Sequence, residues 1–303
     1  MNSTNATNPA VEAEAVFELE TVVYFHEMWI TGLVSVSQLA LFVIILYRSE
    51  AKTWKTIMTP LNMLLIIMIV SNCLNLTCYY FSGQVQDYVP LSIVNIIMTT
   101  SFLIAVFIYN YYRVFPIINT YFPRTLPVLK LIIFVLIPSL EITQNLLNIL
   151  SFIVSDYFTV LLPIVNVLFI LVAALAFLFE VFVAVCYIVH QFAEPAKSPL
   201  GGAFQIIAKF GIGSSILTFL WQASSIISLN GEWSLTVWLS LQSFYILAPL
   251  VFTSLQLWMK WEILKARVER QKSGISAKLP EPSNTTTAAN GPATTKKISP
   301  VDE

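Results

Sequence analysis

Lysine and arginine are confined to four parts of this chain. The 16 basic residues fall within positions 48–55, 113–130, 197–209 and 260–297. The stretches before and between these clusters are rich in Leu, Ile, Val and Phe and contain no basic side chain. Because a charged side chain is costly to place in hydrocarbon, this distribution predicts a chain that crosses a membrane several times.

The lengths of these stretches predict how many crossings there are. A helix needs about 20 apolar residues to span a bilayer core, so the first stretch can hold one span and each of the other three can hold two. Polar residues near the middle of each long stretch, at 82–87, 155–156 and 230–232, predict the turns. The sequence therefore predicts an all-α membrane protein with a seven-transmembrane helix bundle. The expected spans are 26–47, 57–81, 90–114, 127–153, 157–190, 204–229 and 233–259.

The basic clusters also predict the orientation of the chain. Short loops rich in Lys and Arg remain on the cytoplasmic side of a membrane, so the acidic N-terminal segment 1–25 is expected outside the cell. Asn2 and Asn5 each begin a glycosylation sequon in that segment, a weak signal because such triplets are frequent by chance. These features favour a multi-pass protein of the plasma membrane.

Composition excludes several functional classes. Hydrophobic residues make up 57% of the chain and charged residues 11%, whereas soluble domains carry about 25% charged residues. The two histidines and three cysteines show no metal-ligand spacing, and no nucleophile lies near a base. We therefore expect no enzyme, no cofactor, no metal and no nucleic-acid partner, and we expect membrane lipids among the partners.

Two further segments follow the seventh predicted span. Residues 260–272 place Trp261, Leu264 and Val268 on one side of a helix among several cations, which predicts a short amphipathic helix at the membrane surface. The alternative is an ordinary helical flank of the last span. Residues 273–303 consist mainly of small and polar residues, which predicts a disordered cytoplasmic tail.

Polar side chains inside the predicted spans should point into the bundle, since they are costly in contact with lipid. Glu141, Gln144, Asn145 and Asn148 follow helical spacing and make one face of the fourth span polar. This face is either a ligand or ion cavity or a set of interhelical hydrogen bonds. Glu180 lies deeper in the fifth span, where it is either a neutral hydrogen-bonded group or a proton-sensitive switch.

Several short motifs resemble those of rhodopsin-like (class A) G-protein-coupled receptors. The segment 59–62 (TPLN) is similar to the T-P-x-N of the family's second helix, with Asn72 where the family carries an aspartate. The segment 248–252 (APLVF) resembles N-P-x-x-Y of the seventh helix, with Pro249 retained and Phe252 in place of tyrosine. Tyr112 and Arg113 end the third span where the family has D-R-Y. The chain departs from the family at several positions, including the missing acid before Arg113.

The resemblance implies a signalling receptor. Arg113 would face a heterotrimeric G protein, and Tyr112, Asn72, Pro249 and Phe252 would belong to the coupling and switch region. Residues of the outer half would bind an unknown small-molecule or peptide ligand, and the candidates are Glu141, Gln144, Asn145, Trp221 and Gln242. Gln242 lies roughly where opsins carry their retinal lysine, so a retinal Schiff base is excluded.

Two other classes compete with a receptor. A multi-pass transporter or channel would be favoured by sequence repeats and by spans interrupted near the membrane midplane. The chain shows no repeat between its halves, and only Gly211 and Gly213 lie close together, near the start of the sixth span. A membrane scaffold without signalling activity is the remaining alternative.

Overall fold

The computed structural model describes residues 9–49, 57–84, 89–154, 158–193, 201–230 and 233–272. Among these residues the secondary structure is helical, with no strand. Asn2 and Asn5, the predicted tail 273–303 and parts of each predicted turn lie outside them. The predictions made for those segments are therefore not tested by the structure.

Seven long helices account for nearly all of the described chain. They are α1 (Pro9–Arg48), α2 (Pro60–Gln84), α3 (Val89–Tyr121), α4 (residues 126–153), α5 (Phe158–Ala193), α6 (Gly201–Asn230) and α7 (Leu235–Lys272). A short 3₁₀ turn, Pro123–Thr125, precedes α4. All seven helices contain a segment long and apolar enough to cross a membrane, which confirms the predicted all-α, seven-span membrane fold.

Helix α4 changes its hydrogen-bonding pattern near its middle. Its α-helical parts, Leu126–Leu131 and Ile137–Ile153, are joined by the π-helical turn Ile132–Leu136. Pro138 lies two residues after this turn and has no N–H to donate to the carbonyl one turn before it. The wider π turn accommodates this missing donor, as such turns commonly do within longer helices.

The helices extend beyond the predicted spans. Helix α3 continues eight residues past Arg113 to Tyr121, so this arginine lies about two turns inside the helix rather than at its end. Residues 260–272 are helical as predicted, but they form the last turns of α7 without a break. No Gly or Pro stands between Trp258 and Lys272 to end the helix earlier.

Helices that follow one another in the sequence pack side by side, and contacts between the last helix and the first complete the bundle. Each helix packs against the next, α7 packs against α1 and α2, and α3 also contacts α5. We call one end of the bundle the basic end, because Arg48 and Lys260 lie there beside Trp261 and Asn62. The other is called the opposite end.

Two apolar clusters hold the helices together. One joins α3, α4, α5 and α6 through side chains such as Ile118, Ile133 and Val183. The other joins α1, α2, α3, α6 and α7 and includes Phe42 and Phe252. Because lipid is as apolar as these side chains, close packing between helices stabilises them more than the hydrophobic effect does.

Polar contacts join α7 to α1 and α2 in the turn that follows Pro249. Gln38 of α1 donates from Nε2 to the carbonyl oxygen of Leu250 and to Oγ of Ser254, both at 2.9 Å. Asn72 of α2 donates to Oγ1 of Thr253 at 3.3 Å. These contacts attach α7 to α1 and α2 close to Pro249, which lacks the N–H needed for an internal helix hydrogen bond.

The TPLN segment has a structural role at the basic end. Oγ1 of Thr59 accepts a long hydrogen bond, 3.4 Å, from the Asn62 N–H, the geometry of a helix N-cap, and Pro60 occupies the first helical position. The Asn62 side chain donates to the Ile57 carbonyl at 2.8 Å and accepts a hydrogen bond from Lys260 of α7. The segment thus begins α2 and ties it to α7.

We expect Gln38→Leu to lower the free energy of unfolding by about 1 kcal/mol, because hydrogen bonds between membrane helices contribute about 0.6 kcal/mol each on average. Equilibrium unfolding in mixed detergent and sodium dodecyl sulphate measures this change. Ser37→Ala is the matched control, since the Ser37 hydroxyl bonds to the Leu33 carbonyl of its own helix. An effect of Ser37→Ala as large as that of Gln38→Leu would contradict the assignment.

Candidate functional site

A buried arginine connects four helices in the half of the bundle nearer the basic end. Arg113 of α3 donates from Nε to the Tyr187 hydroxyl at 2.7 Å, from Nη1 to Oε1 of Gln256 at 2.5 Å and from Nη2 to Oγ of Ser214 at 2.9 Å. These partners belong to α5, α7 and α6. The arginine side chain is only 6% exposed, and its three partners are fully enclosed. We call these four residues the Arg113 cluster.

Helix α6 provides the space that the cluster needs. A Cβ atom at Gly211 would overlap the Tyr187 ring, so only glycine allows the ring to lie against the helix backbone. One turn later, Ser214 donates to the Gly211 carbonyl at 2.9 Å and accepts from Arg113. A single turn of α6 therefore supplies both the room for Tyr187 and one hydrogen-bond acceptor.

A second buried polar pair lies beside the cluster. Asn110, one turn before Arg113 on α3, donates to Oε1 of Glu180 on α5 at 2.7 Å. The Ser215 hydroxyl of α6 also lies close to the Glu180 carboxylate. Glu180 and Arg113 place opposite formal charges in the same region, which offsets part of the cost of burying each of them.

The predicted coupling and switch residues do not form one group. Arg113 is enclosed rather than exposed to a cytoplasmic partner, because α3 extends past it and three other helices supply its acceptors. Tyr112 is 39% exposed, and its ring contacts that of Phe134 at 6.0 Å. Asn72 and Pro249 are linked through Thr253, whose hydroxyl bonds to the Pro249 carbonyl at 2.9 Å. Phe252 belongs to the second apolar cluster.

Two cavities lie in the half of the bundle nearer the opposite end. The first, about 140 Å³, has polar lining from Thr31, Asn72, Asn75, Asn95, Thr99 and Gln242. The second, about 260 Å³, has polar lining from Gln144, Asn148, Asn166, Ser225, Ser228 and Gln242. Gln242 and Tyr245 of α7 line both cavities. The two cavities therefore meet at one turn of α7, and we call them together the paired cavities.

Several buried atoms in the paired cavities lack a hydrogen-bond partner among the described residues. They are Oγ1 of Thr31 and Oδ1 of Asn95 in the first cavity and Oε1 of Gln144 in the second. Amide and hydroxyl side chains supply the polar lining of both cavities, so an occupant that can form hydrogen bonds suits them. Among the described residues, no Asp, Glu, Lys or Arg lines either cavity, and an uncharged occupant therefore suits the lining.

The predicted ligand residues are only partly brought together. Gln144 and Gln242 line the second cavity. Glu141 and Asn145 instead contact each other within α4, where Nδ2 of Asn145 donates to Oε2 of Glu141 at 3.1 Å. Trp221 lies beside the cavity wall, because its ring centroid is 5.8 Å from that of Tyr245. The Glu141 and Asn145 side chains do not line the paired cavities.

Sequence reasoning missed three of the residues that shape these sites, Tyr187, Ser214 and Tyr245. A hydroxyl group alone is a weak signal inside a membrane span. The closely spaced small residues Gly211, Gly213, Ser214 and Ser215 were a usable signal, since small residues mark places where membrane helices approach closely.

Comparison with models of protein families, with curated proteins and with solved structures finds no match to this chain. Its function is therefore inferred from the seven-helix architecture, the Arg113 cluster and the paired cavities.

Proposed function

We propose that this protein is a seven-transmembrane signalling receptor that resembles G-protein-coupled receptors. A ligand would bind in the paired cavities, and a heterotrimeric G protein would bind at the basic end. The observation that carries the proposal is the Arg113 cluster, in which one buried cation connects α3 to α5, α6 and α7. The hydrogen bonds of such a cluster can stabilise one arrangement of the helices and can break when the helices adopt another.

Helices α6 and α7 provide a physical link between the two regions. On α7, Gln242 lines the paired cavities and Gln256 accepts from Arg113, a separation of about 21 Å along the helix. On α6, Trp221 contacts Tyr245 at the cavity wall and Ser214 accepts from Arg113. A ligand that shifts the cavity end of either helix would therefore strain the cluster at the other end.

Pro249 lies between the two regions on α7 and supplies the mechanical break. It removes one backbone hydrogen bond from the helix, which lowers the cost of bending at that point. In the proposed mechanism, ligand binding favours a packing in which the basic end of α6 moves away from α3. Arg113 then loses Ser214 as an acceptor and becomes available to the G protein.

The lining of the paired cavities indicates the chemistry of the ligand. Amide and hydroxyl groups dominate the polar surface, and several lack a partner within the described part of the chain. A small neutral molecule that both donates and accepts hydrogen bonds would satisfy these groups. A strongly charged ligand would find no counter-charge in the lining.

Nucleotide exchange by G proteins in membranes from heterologous cells tests the proposal. We expect the protein to raise exchange above that of control membranes for at least one G-protein class, and we expect Arg113→Gln to abolish the increase. Ser37→Ala is the control, since the Ser37 hydroxyl bonds to the Leu33 carbonyl within α1 and lies outside the cluster. Circular dichroism and surface expression establish that each variant is folded.

Three outcomes separate the candidate functions. A receptor raises nucleotide exchange, whereas a transporter accumulates solute in sealed vesicles and a scaffold does neither. Equal exchange with the wild-type protein and with Arg113→Gln would contradict the assigned role of the cluster. No increase with any G-protein class would contradict coupling to G proteins.

A further inference from the structure

A groove at the basic end lies between the last turn of α1 and the last turns of α7. It has a volume of about 410 Å³ and is lined by Arg48, Trp261, Leu264, Lys265, Val268 and Glu269. We call it the α1–α7 groove. Its volume lies within the range of about 300 to 1,000 Å³ typical of small-molecule sites.

The floor and the rim of the groove differ in chemistry. Trp261, Leu264 and Val268 recur at helical spacing, so they form one apolar face of α7 toward α1. Leu264 is buried, whereas Val268 remains 37% exposed. The cations lie on the rim, because Arg48 and Lys265 are both exposed. An occupant must therefore be apolar along one part and negatively charged at the other.

The position of Arg48 fixes where the negative charge would lie. Its Cζ atom is 4.8 Å from the centroid of the Trp261 ring, so the guanidinium covers one face of the indole. The charge of Arg48 therefore lies directly above the apolar floor, where an anion can approach it. Lys265 provides a second cation on the other side of the groove.

We propose that the α1–α7 groove binds one anionic phospholipid. The phosphate would lie between Arg48 and Lys265, and an acyl chain would lie along Trp261, Leu264 and Val268. Glu269 also lines the groove. The formal charges of Arg48, Lys265 and Glu269 therefore sum to +1. That balance suits a headgroup with a single negative charge.

A phospholipid fits the groove better than a free phosphate ion does. Inorganic phosphate would leave the apolar floor open, whereas a phospholipid covers the floor and places its charge at the membrane surface. The groove is formed by the ends of two helices that contain membrane-spanning segments, so lipids are at high local concentration beside it. The proposal does not depend on receptor activity.

Native mass spectrometry of the full-length protein released from detergent micelles tests this inference. The protein is equilibrated with an equimolar mixture of phosphatidylglycerol and phosphatidylcholine, and the bound lipid is identified by mass. We expect one retained phosphatidylglycerol and a preference over phosphatidylcholine on the order of tenfold, since each basic residue near a lipid headgroup contributes about a fivefold gain. A parallel sample with inorganic phosphate should show no retained ion.

The variants distinguish the groove from general attraction to the basic end. Combined replacement Arg48→Gln and Lys265→Gln is expected to reduce the preference to near parity. The control combines Lys130→Gln with Lys209→Gln, which removes the same charge at exposed positions outside the groove. We expect the control to keep the wild-type preference.

Three results with lipid, and one with phosphate, would overturn the proposal. The three with lipid are no preference in the wild-type protein, an unchanged preference in the groove variant, and equal losses in the groove variant and the control. Retention of inorganic phosphate without lipid would assign the groove to a soluble anion instead. Circular dichroism of each variant ensures that a lost preference reflects the groove and not unfolding.

Discussion

Gln256→Leu is expected to destabilise the bundle by about 2 to 3 kcal/mol, as measured by equilibrium unfolding in mixed detergent and sodium dodecyl sulphate. The leucine cannot accept the hydrogen bond that Nη1 of Arg113 donates to Oε1 of Gln256 at 2.5 Å. A neutral interhelical hydrogen bond in a membrane contributes less than about 1.7 kcal/mol. An unpaired donor on a buried cation costs more, because the charge is left without its partner.

The control for this prediction is Gln222→Leu, which changes a half-buried glutamine of α6 outside the Arg113 cluster. We expect its effect to be below about 1 kcal/mol. Arg113→Met in the Gln256→Leu background should recover part of the lost stability, since it removes the unpaired cation. Strictly additive effects of the two replacements would show that Arg113 and Gln256 are not coupled.

Gly211→Ala is expected to destabilise the bundle by about 2 kcal/mol, because overpacking a well-filled interior costs about 1 to 3 kcal/mol. The added methyl group would overlap the Tyr187 ring, which is enclosed on all sides. The ring must move, and its hydroxyl then loses the hydrogen bond from Nε of Arg113. Unfolding in the same detergent mixture measures the change.

Gly213→Ala, two residues later on the same helix, is the matched control. No atom lies within 4 Å of a Cβ placed at that position, and alanine stabilises a helix by up to about 1 kcal/mol relative to glycine. We therefore expect no loss of stability. In a Tyr187→Leu background, Gly211→Ala should also become nearly neutral. A similar loss at both glycines would contradict the steric explanation.

The sequence contained enough information to predict the fold, because the cost of a cation in lipid is large and acts on every span. The four basic clusters, represented by Arg48, Lys130, Lys209 and Lys260, separate the apolar stretches clearly enough to count them. Helix ends were less predictable, since α3 continues through Pro116 to Tyr121 and α7 continues into a charged segment that contains no Gly or Pro. Arg113 was consequently placed at a helix end, although it lies inside the bundle.

The sites were less predictable than the fold, because they depend on which helix faces meet. Gln144 and Gln242 were identified as inward-facing polar residues, and both line the second cavity. Glu141 had the same helical spacing, but its carboxylate accepts a hydrogen bond from Asn145 one turn later on the same helix. Tyr187 is the clearest example of information missing from a linear pattern, since its position depends on the absence of a side chain at Gly211 on a different helix.

The number of membrane crossings is the claim on which the proposed sites and function rest, and the sidedness of the two chain ends tests it most directly. One epitope tag is fused before Met1 and a different tag after Glu303, and each is probed with a membrane-impermeant antibody on intact and on permeabilised cells. Seven crossings require the two ends to lie on opposite faces, with the N-terminal tag accessible on intact cells and the C-terminal tag only after permeabilisation. Detection of both tags on the same face would require an even number of crossings and would contradict the seven-span arrangement.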